Sequence, residues 1–295
     1  MDTAKLRGLG VAMLTPFSSN YQIDYRALDK LIEFLIGNGV NYLVVQGTTA
    51  ETATLSDSEK RQLADYVVKK VNRRVPIVLG IGGNDTHKVI ETYAKFDLSG
   101  IDAVLSVTPY YNKPTQKGLY MHFKTIAQNS NLPIILYNVP GRTGVNMTAD
   151  TTLKLAHEFQ GKIIAVKEAS GNLTQMGYIL RDRPTGFRVL SGDDGLTLPQ
   201  IAMGADGVIS VLGNCAPAPF SRMVNLALQG NFSEAAKIHL KLIELIDLLF
   251  AEGNPGGVKA ALNALGIIEN VLRLPLAPVS EVTYERLKKE LEKLK

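Results

Sequence analysis

Eight short apolar runs alternate with amphipathic stretches along this chain, and that alternation restricts its fold more than any other feature. The runs fall at residues 10–14, 42–45, 77–79, 103–107, 134–137, 163–167, 188–190 and 208–211. Runs this short and this rich in Val, Ile and Leu read as strands buried on both faces. Between them the apolar period lengthens to that of a helix. Leu28, Leu31, Ile32, Leu35 and Ile36 form one stripe, and Ser56 followed by Glu59 makes a capping box. Strand–helix units recurring every roughly 20 to 35 residues predict an α/β fold, a closed parallel (β/α)8 TIM barrel. A doubly wound open sheet would bring a glycine-rich turn after its first strand, where this chain has Leu14-Thr15-Pro16-Phe17. Beyond the eighth run, helices are expected at residues 232–251, 258–265 and 282–295, with no linker-like segment before them. The predicted organisation is a barrel over residues 1–229 and an appended C-terminal helical region, 230–295, packed on it.

Composition excludes several classes. With 295 residues, 45% of them hydrophobic, the chain can bury a large core. Its 32 basic and 28 acidic residues leave a net charge of +4 with no dense basic block, so no nucleic-acid partner is expected. No run reaches the roughly 18 apolar residues of a membrane span, and the oiliest stretch, 240–250, is broken by Lys241, Glu244 and Asp247. Residues 1–10 carry Asp2, Lys5 and Arg7 and no apolar leader. A single cysteine, Cys215, suits a reducing compartment, so a cytoplasmic protein is expected. His87, His122, His157 and His239 lack ligand spacing, and no metal is expected.

In such a barrel the chemistry sits at the C-terminal strand ends. Lys167 closes the run Ile163-Ile164-Ala165-Val166, and Tyr137 closes Ile134-Ile135-Leu136. Burial disfavours an ammonium and frees a neutral amine for attack on a carbonyl, while a nearby phenol can move the protons. Strand alternation is expected to put Ile163, Ala165 and Lys167 on one face and Glu168 on the other. The Gly47-Thr48-Thr49 turn can hold a small carboxylate, and Arg142 a second one. Each residue has a plainer reading: a snorkelling or ion-paired lysine, a packing tyrosine, a simple turn, a surface arginine. Their convergence on one rim favours a Schiff-base site. Gly80-Ile81-Gly82-Gly83-Asn84 lacks the third glycine of a dinucleotide turn, Asp85 standing there, and Asp193-Asp194 reads as a helix N-cap.

At these strand ends the chain closely resembles the dihydrodipicolinate synthase family, whose members are also called 4-hydroxy-tetrahydrodipicolinate synthases. The likeness runs essentially end to end. It is carried by Gly47-Thr48-Thr49-Ala50-Glu51, Thr108-Pro109-Tyr110-Tyr111-Asn112-Lys113-Pro114, Tyr137-Asn138-Val139-Pro140-Gly141-Arg142-Thr143-Gly144 and Val166-Lys167-Glu168-Ala169. Ser191-Gly192-Asp193-Asp194, Gly207-Val208-Ile209-Ser210-Val211 and Asn254-Pro255 extend it. The resemblance implies that pyruvate forms an imine with Lys167 and that its enamine attacks aspartate β-semialdehyde, feeding lysine and diaminopimelate synthesis. It implies a proton relay of Tyr137, Thr48 and Tyr111, with Tyr111 reaching in from a neighbouring subunit. Thr49 matches the pyruvate carboxylate contact, Arg142 the semialdehyde carboxylate contact, and Gly192 and Ile209 the site lining. No metal or organic cofactor is implied, and a homo-oligomer, commonly a homotetramer built as a dimer of dimers, is. Related lyases acting on N-acetylneuraminate or 2-keto-3-deoxy sugar acids share the lysine and tyrosine but usually lack an arginine in the turn of Arg142.

Two departures from the family pattern matter. Ala50 stands where glycine is usual, which is tolerated unless that backbone needs a positive φ. In family members inhibited by lysine, a glutamate grips the effector's amine; here the matching residue is Lys88, and Asp57 and Lys60 replace two histidines. Thr52, Ala53, Asn84 and Tyr110 keep matching or similar positions in that allosteric pocket. Weak lysine inhibition is expected.

Overall fold

The computed structural model describes residues 2–294. Its strands are β1 (Gly8–Ala12), β2 (Tyr42–Val45), β3 (Ile77–Gly80), β4 (Ala103–Val107), β5 (Ile134–Asn138), β6 (Ile163–Glu168), β7 (Arg188–Ser191) and β8 (Gly207–Ser210). They pair in parallel in chain order, and β8 closes on β1. This is the predicted eight-stranded barrel.

Alternation along the strands sorts the core into two layers. Val44, Val78, Leu105, Ile135, Ala165, Leu190 and Ile209 fill the barrel, while Leu43, Val45, Leu79, Val104, Leu136, Val166 and Val208 face the surrounding helices. The Tyr42 ring occupies the interior so closely that a Cβ on residue 10 would lie 2.2 Å from it, which is why β1 carries Gly10 there.

Three details depart from expectation. β1 starts two residues early because Gly8 pairs with Gly207, beyond the apolar run, and it ends at Ala12 because the Leu14 N–H turns to the Asn214 side chain at 3.3 Å. β8 ends before Val211, whose N–H is taken by the Asp194 carboxylate at 3.0 Å. In β6, Ile134 pairs with Ile163 but Ile135 pairs with Ala165, so Ile164 is an extra residue. Ile163 therefore packs outward among the helices, and Ile164 and Ala165 both join the interior. The expectation that Ile163 shares a face with Lys167 fails at this bulge.

Most of the helices start where a side chain satisfies a free N–H group. Asp24 accepts from Ala27 N at 2.9 Å, and Ser56 and Glu59 form the predicted capping box at 3.2 and 2.8 Å; such caps contribute about 1 kcal/mol each. The last three helices, Phe232–Phe250, Gly256–Ala264 and Glu281–Glu292, place Leu245, Leu249, Ala261, Leu262 and Leu287 in the same core as the barrel's outer layer. The final helix stops at Glu292; Lys295, its predicted end, lies outside the described residues, as does Met1 of the N-terminal segment. Among the described residues no helix is long and apolar enough to cross a membrane, and no cluster of His, Cys, Asp and Glu is arranged for a metal.

Candidate active site

Lys167 lies one residue before the end of β6, beside Tyr137 of β5 in the strand register. Both are buried, at 6% and 7% exposure, and the Lys167 amine lies 4.3 Å from the centre of the Tyr137 ring. Among the described residues no carboxylate pairs with that amine. The adjacent Glu168 points to the opposite face, as alternation requires. There it accepts from Asn138 Nδ2 at 3.0 Å, Ser170 N at 2.7 Å and Gln175 Nε2 at 3.1 Å. Three neutral donors satisfy this carboxylate, and the lysine is left without a counter-ion.

Above Tyr137 opens a cleft of about 480 Å³, walled by Thr48, Glu51, Tyr137, Arg142, Asn254 and Leu276 among others. Its size suits a small ligand. Thr48–Ala50 forms a single tight turn after β2, closed by Ala50 N to Gly47 O and Glu51 N to Thr48 O, each 3.1 Å. Thr48 is exposed at the rim; Thr49 is buried, and its hydroxyl accepts from Asn254 Nδ2 at 3.0 Å. Ala50 does not have a positive φ, so its methyl group costs the turn nothing.

Arg142 rides on the one-turn helix Pro140–Thr143, where Pro140 at the first position fixes φ for the turn. Its guanidinium reaches Asn254 O at 3.4 Å and has no carboxylate partner among the described residues, so it faces the cleft unpaired rather than in a surface ion pair. Gly192 follows β7 and approaches Ala169 closely enough that a Cβ would lie 2.6 Å from it. Ile209 is buried inside the barrel; neither residue reaches the cleft wall. Asp193 Oδ1 accepts from Leu196 N at 3.1 Å in the turn that leads into the helix Thr197–Ala202, close to the expected cap, whereas the Asp194 side chain plays no part there. Asp194 is buried and binds the N–H groups of Val211 and Leu212 at 3.0 and 2.7 Å, tying β7 to β8, and burial pushes its carboxyl above the ordinary range.

A model of the dihydrodipicolinate synthetase family matches residues 5–294. The chain belongs to that family. It is 55% identical to the 4-hydroxy-tetrahydrodipicolinate synthase of Parabacteroides distasonis, covering 100% of this chain and 99% of that one. It is 45% identical to the synthase of Acetivibrio thermocellus over 97% and 96% of the two chains. Its fold superposes on the crystal structure of the dihydrodipicolinate synthase from Aquifex aeolicus with a TM-score of 0.94, at 43% identity and 98% coverage of each chain.

Tyr111, expected to share a proton relay with Tyr137 and Thr48, does not join them at the cleft. It is 88% exposed, stands off the cleft wall and holds φ at 74°. A non-glycine residue in that region carries roughly 1–3 kcal/mol of strain, which the fold must impose. A three-residue turn imposes it, Asn112 N–H donating to Tyr110 O at 2.9 Å, and Asn84 braces the two flanking residues, donating to Tyr110 O at 3.2 Å and accepting from Asn112 Nδ2 at 3.1 Å. Next to this loop a second depression of about 450 Å³ is lined by Thr52, Asn84, Lys88 and Tyr110, with Asp57 and Lys60. Ala53 lies on the wall of the first cleft instead. The Lys88 side chain is 81% exposed, its amine 4.0 Å from Asp85.

Sequence reasoning assigned no role to Glu51, Asn254 or Lys259. Asn254 lies between Thr49 and Arg142, bonded to both. Lys259 is wholly buried and paired with Glu51 at 2.5 Å. The available signal was a lone charge in the otherwise uncharged stretch of the helix Gly256–Ala264.

Proposed function

We propose that this chain condenses pyruvate with aspartate β-semialdehyde through an imine on Lys167. The observation that carries this reading is an enclosed amine with no counter-ion, lying against a buried tyrosine that walls a cleft whose rim bears Thr48 and an unpaired arginine, with Thr49 buried behind Thr48. The Lys167 amine adds to the ketone of pyruvate, and loss of water leaves the imine. The imine acts as an electron sink, so a methyl proton leaves and an enamine forms. That carbon attacks the aldehyde, whose oxygen takes up a proton. The amino group of the adduct then closes on the imine carbon, and the Lys167 amine departs. The Tyr137 hydroxyl moves the protons, with Thr48 and a Tyr111 supplied by a second copy of the chain. Thr49 receives the pyruvate carboxylate and Arg142 that of the semialdehyde. The covalent imine supplies the electron sink, so the reaction runs without metal or organic cofactor.

A homo-oligomer follows from the same reading, since Tyr111 is held strained and outside its own cleft. Cys215, buried with its thiol pushed up by desolvation, suits a reducing cytoplasm. Lys88 places a cation in the depression where sensitive family members grip lysine's amine, so low-millimolar lysine is expected to leave turnover nearly unchanged. Inhibition like that of sensitive enzymes would overturn this point.

The test is pyruvate consumption with aspartate β-semialdehyde, run beside cleavage of N-acetylneuraminate. Turnover with the semialdehyde alone supports the reading. Cleavage of the sugar acid alone keeps the imine and moves the chain to the lyases.

A further inference from the structure

Two cations of the C-terminal region close over the turn that carries Thr48 and Thr49. Lys259 is fully enclosed; its amine lies 2.5 Å from Glu51 Oε1, donates to Val271 O at 2.8 Å and stands 4.1 Å from the centre of the Phe17 ring. Arg273 lies 4.3 Å from the same ring, and its backbone N–H donates to the second oxygen of Glu51 at 3.0 Å. Its guanidinium binds Glu59 and the carbonyls of Tyr21 and Thr54.

Glu51 is the residue directly after the threonine turn, and its backbone is left-handed, with φ 53° and ψ 35°. A glutamate keeps that conformation only when its surroundings impose it. Here the constraint is the grip on its carboxylate, aided by Thr54, whose N–H and hydroxyl both donate to Glu51 O at 2.9 Å. Within the turn itself Asn254 donates to Thr49, the middle residue. Both holds come from the chain beyond β8.

We propose that Lys259 is a positioning residue for the condensation: by fixing Glu51 it sets the turn that presents Thr48 and Thr49 to pyruvate. The inference rests on the function proposed above. A buried ion pair is seldom a net source of stability, because removing two charges from water offsets their attraction. What this pair supplies is a carboxylate with one allowed place. Neutralising Lys259 alone leaves Glu51 buried and unpaired, and the carboxylate escapes to water by moving the turn. The semialdehyde contact, Arg142, sits on a different loop, so the damage falls on one substrate.

The experiment compares wild type, Lys259→Met and the double variant Lys259→Met/Glu51→Gln in the full chain. The readouts are the pyruvate concentration for half-maximal borohydride-trapped adduct and the KM for each substrate. Lys259→Met is expected to lose about 10- to 100-fold in kcat/KM for pyruvate, the scale of a misplaced binding group. The KM for the semialdehyde should stay within about twofold, and the double variant, which removes the stranded charge, should recover most of the loss. An unchanged half-saturation in a folded Lys259→Met chain overturns the inference, as does an equal loss for both substrates or a double variant no better than the single. If Lys259→Met does not fold, Lys259→Gln decides in its place: a raised half-saturation for pyruvate supports the tether, and an unchanged one overturns it. Absence of any trapped adduct in wild type overturns the proposed function and this inference together, whereas normal trapping in wild type with no change in the variants overturns the inference alone.

Discussion

Lys167 and Lys259 are both enclosed by this fold, one on β6 and one on the helix Gly256–Ala264, yet their amines meet opposite surroundings. Each lies just over 4 Å from the centre of an aromatic ring, at 4.3 Å for Lys167 over Tyr137 and 4.1 Å for Lys259 over Phe17. Only Lys259 has a carboxylate, Glu51, at 2.5 Å. Desolvation still pushes Lys259 down to about 8, against the pull of Glu51 in the other direction. Burial and an aromatic neighbour are thus common to both and identify neither as a nucleophile. The missing counter-ion separates them. An amine with a fixed carboxylate must break that pair before it can attack, whereas Lys167 has none to break. Strand geometry arranges this: the carboxylate nearest in sequence, Glu168, is turned to the other face and satisfied there by amides.

The largest effect that tests this contrast is on turnover. Lys167→Ala should lose on the order of a thousandfold or more in kcat, since a covalent nucleophile has no substitute. The folded protein should give no borohydride-trapped adduct by mass spectrometry. Lys259→Met should retain trapping at high pyruvate. If the two variants behave alike, the division between nucleophile and tether collapses.

Next in size is Tyr111→Phe, expected to slow turnover by about a hundredfold as a lost proton-transfer group. Its neighbourhood makes a sharper test available. Lys167→Ala and Tyr111→Phe chains, each nearly inactive alone, should recover activity when unfolded together and refolded as a mixture. In a mixed pair one cleft holds an intact Lys167 and receives an intact Tyr111 from the other chain. Failure to recover, in a mixture shown to contain mixed pairs, would place Tyr111 in its own chain's chemistry or outside it altogether.

The barrel was legible because its signal is periodic and repeated: strands buried on both faces, separated by helices with apolar stripes, admit few other arrangements. Lys167, Tyr137, Thr48 and Arg142 were nameable because barrel chemistry gathers at strand ends, and the structure brings Tyr137, Thr48 and Arg142 to one cleft with Lys167 against the Tyr137 ring. What stayed hidden depended on contacts distant in sequence or on a local irregularity. The bulge that turns Ile163 outward adds one residue to a run of uniform apolar character, and nothing in Ile163-Ile164-Ala165 marks which residue is extra. The bond from Asn254 to Thr49 and the pair of Lys259 with Glu51 each span more than two hundred residues, and no local pattern encodes such a partner. Asp193-Asp194 looked like a cap by spacing, and Asp193 comes close to one, but burial against β8 gave Asp194 backbone N–H groups there instead.

Arg142→Lys should raise the KM for the semialdehyde by roughly tenfold while the half-saturation for pyruvate trapping stays put, because a point charge replaces a planar two-pronged donor. This is the mirror image of Lys259→Met, which should act on pyruvate alone. Together they test whether the cleft has two separately built carboxylate ends. Equal effects of both variants on both substrates would mean a single, indivisible pocket.

The smallest effect concerns stability, and it separates the two ion pairs that Lys259 and Arg273 make. The Arg273–Glu59 pair is partly open to solvent, at 15% and 23% side-chain exposure, whereas the pair of Lys259 with Glu51 is fully enclosed. Hydrogen bonding from Arg273 holds the Glu59 carboxyl down at about 2, against an ordinary value of 4.5. A carboxyl whose pKa is lower folded than unfolded stabilises the fold above pH 4.5, and that contribution drains away as pH falls toward about 2. Glu59→Gln should therefore cost about 1 kcal/mol at neutral pH, seen as a lower Tm. The gap to wild type should narrow steadily from pH 4.5 toward pH 2. A gap that stays constant across that range would show that Glu59 acts through packing and not through its charge. The double variant Lys259→Met/Glu51→Gln should keep a Tm close to wild type, because the enclosed pair gives up on desolvation much of what it gains by attraction. The partly exposed pair then stands as the one that holds the C-terminal region to the barrel, and the enclosed pair as the one that aims the threonine turn.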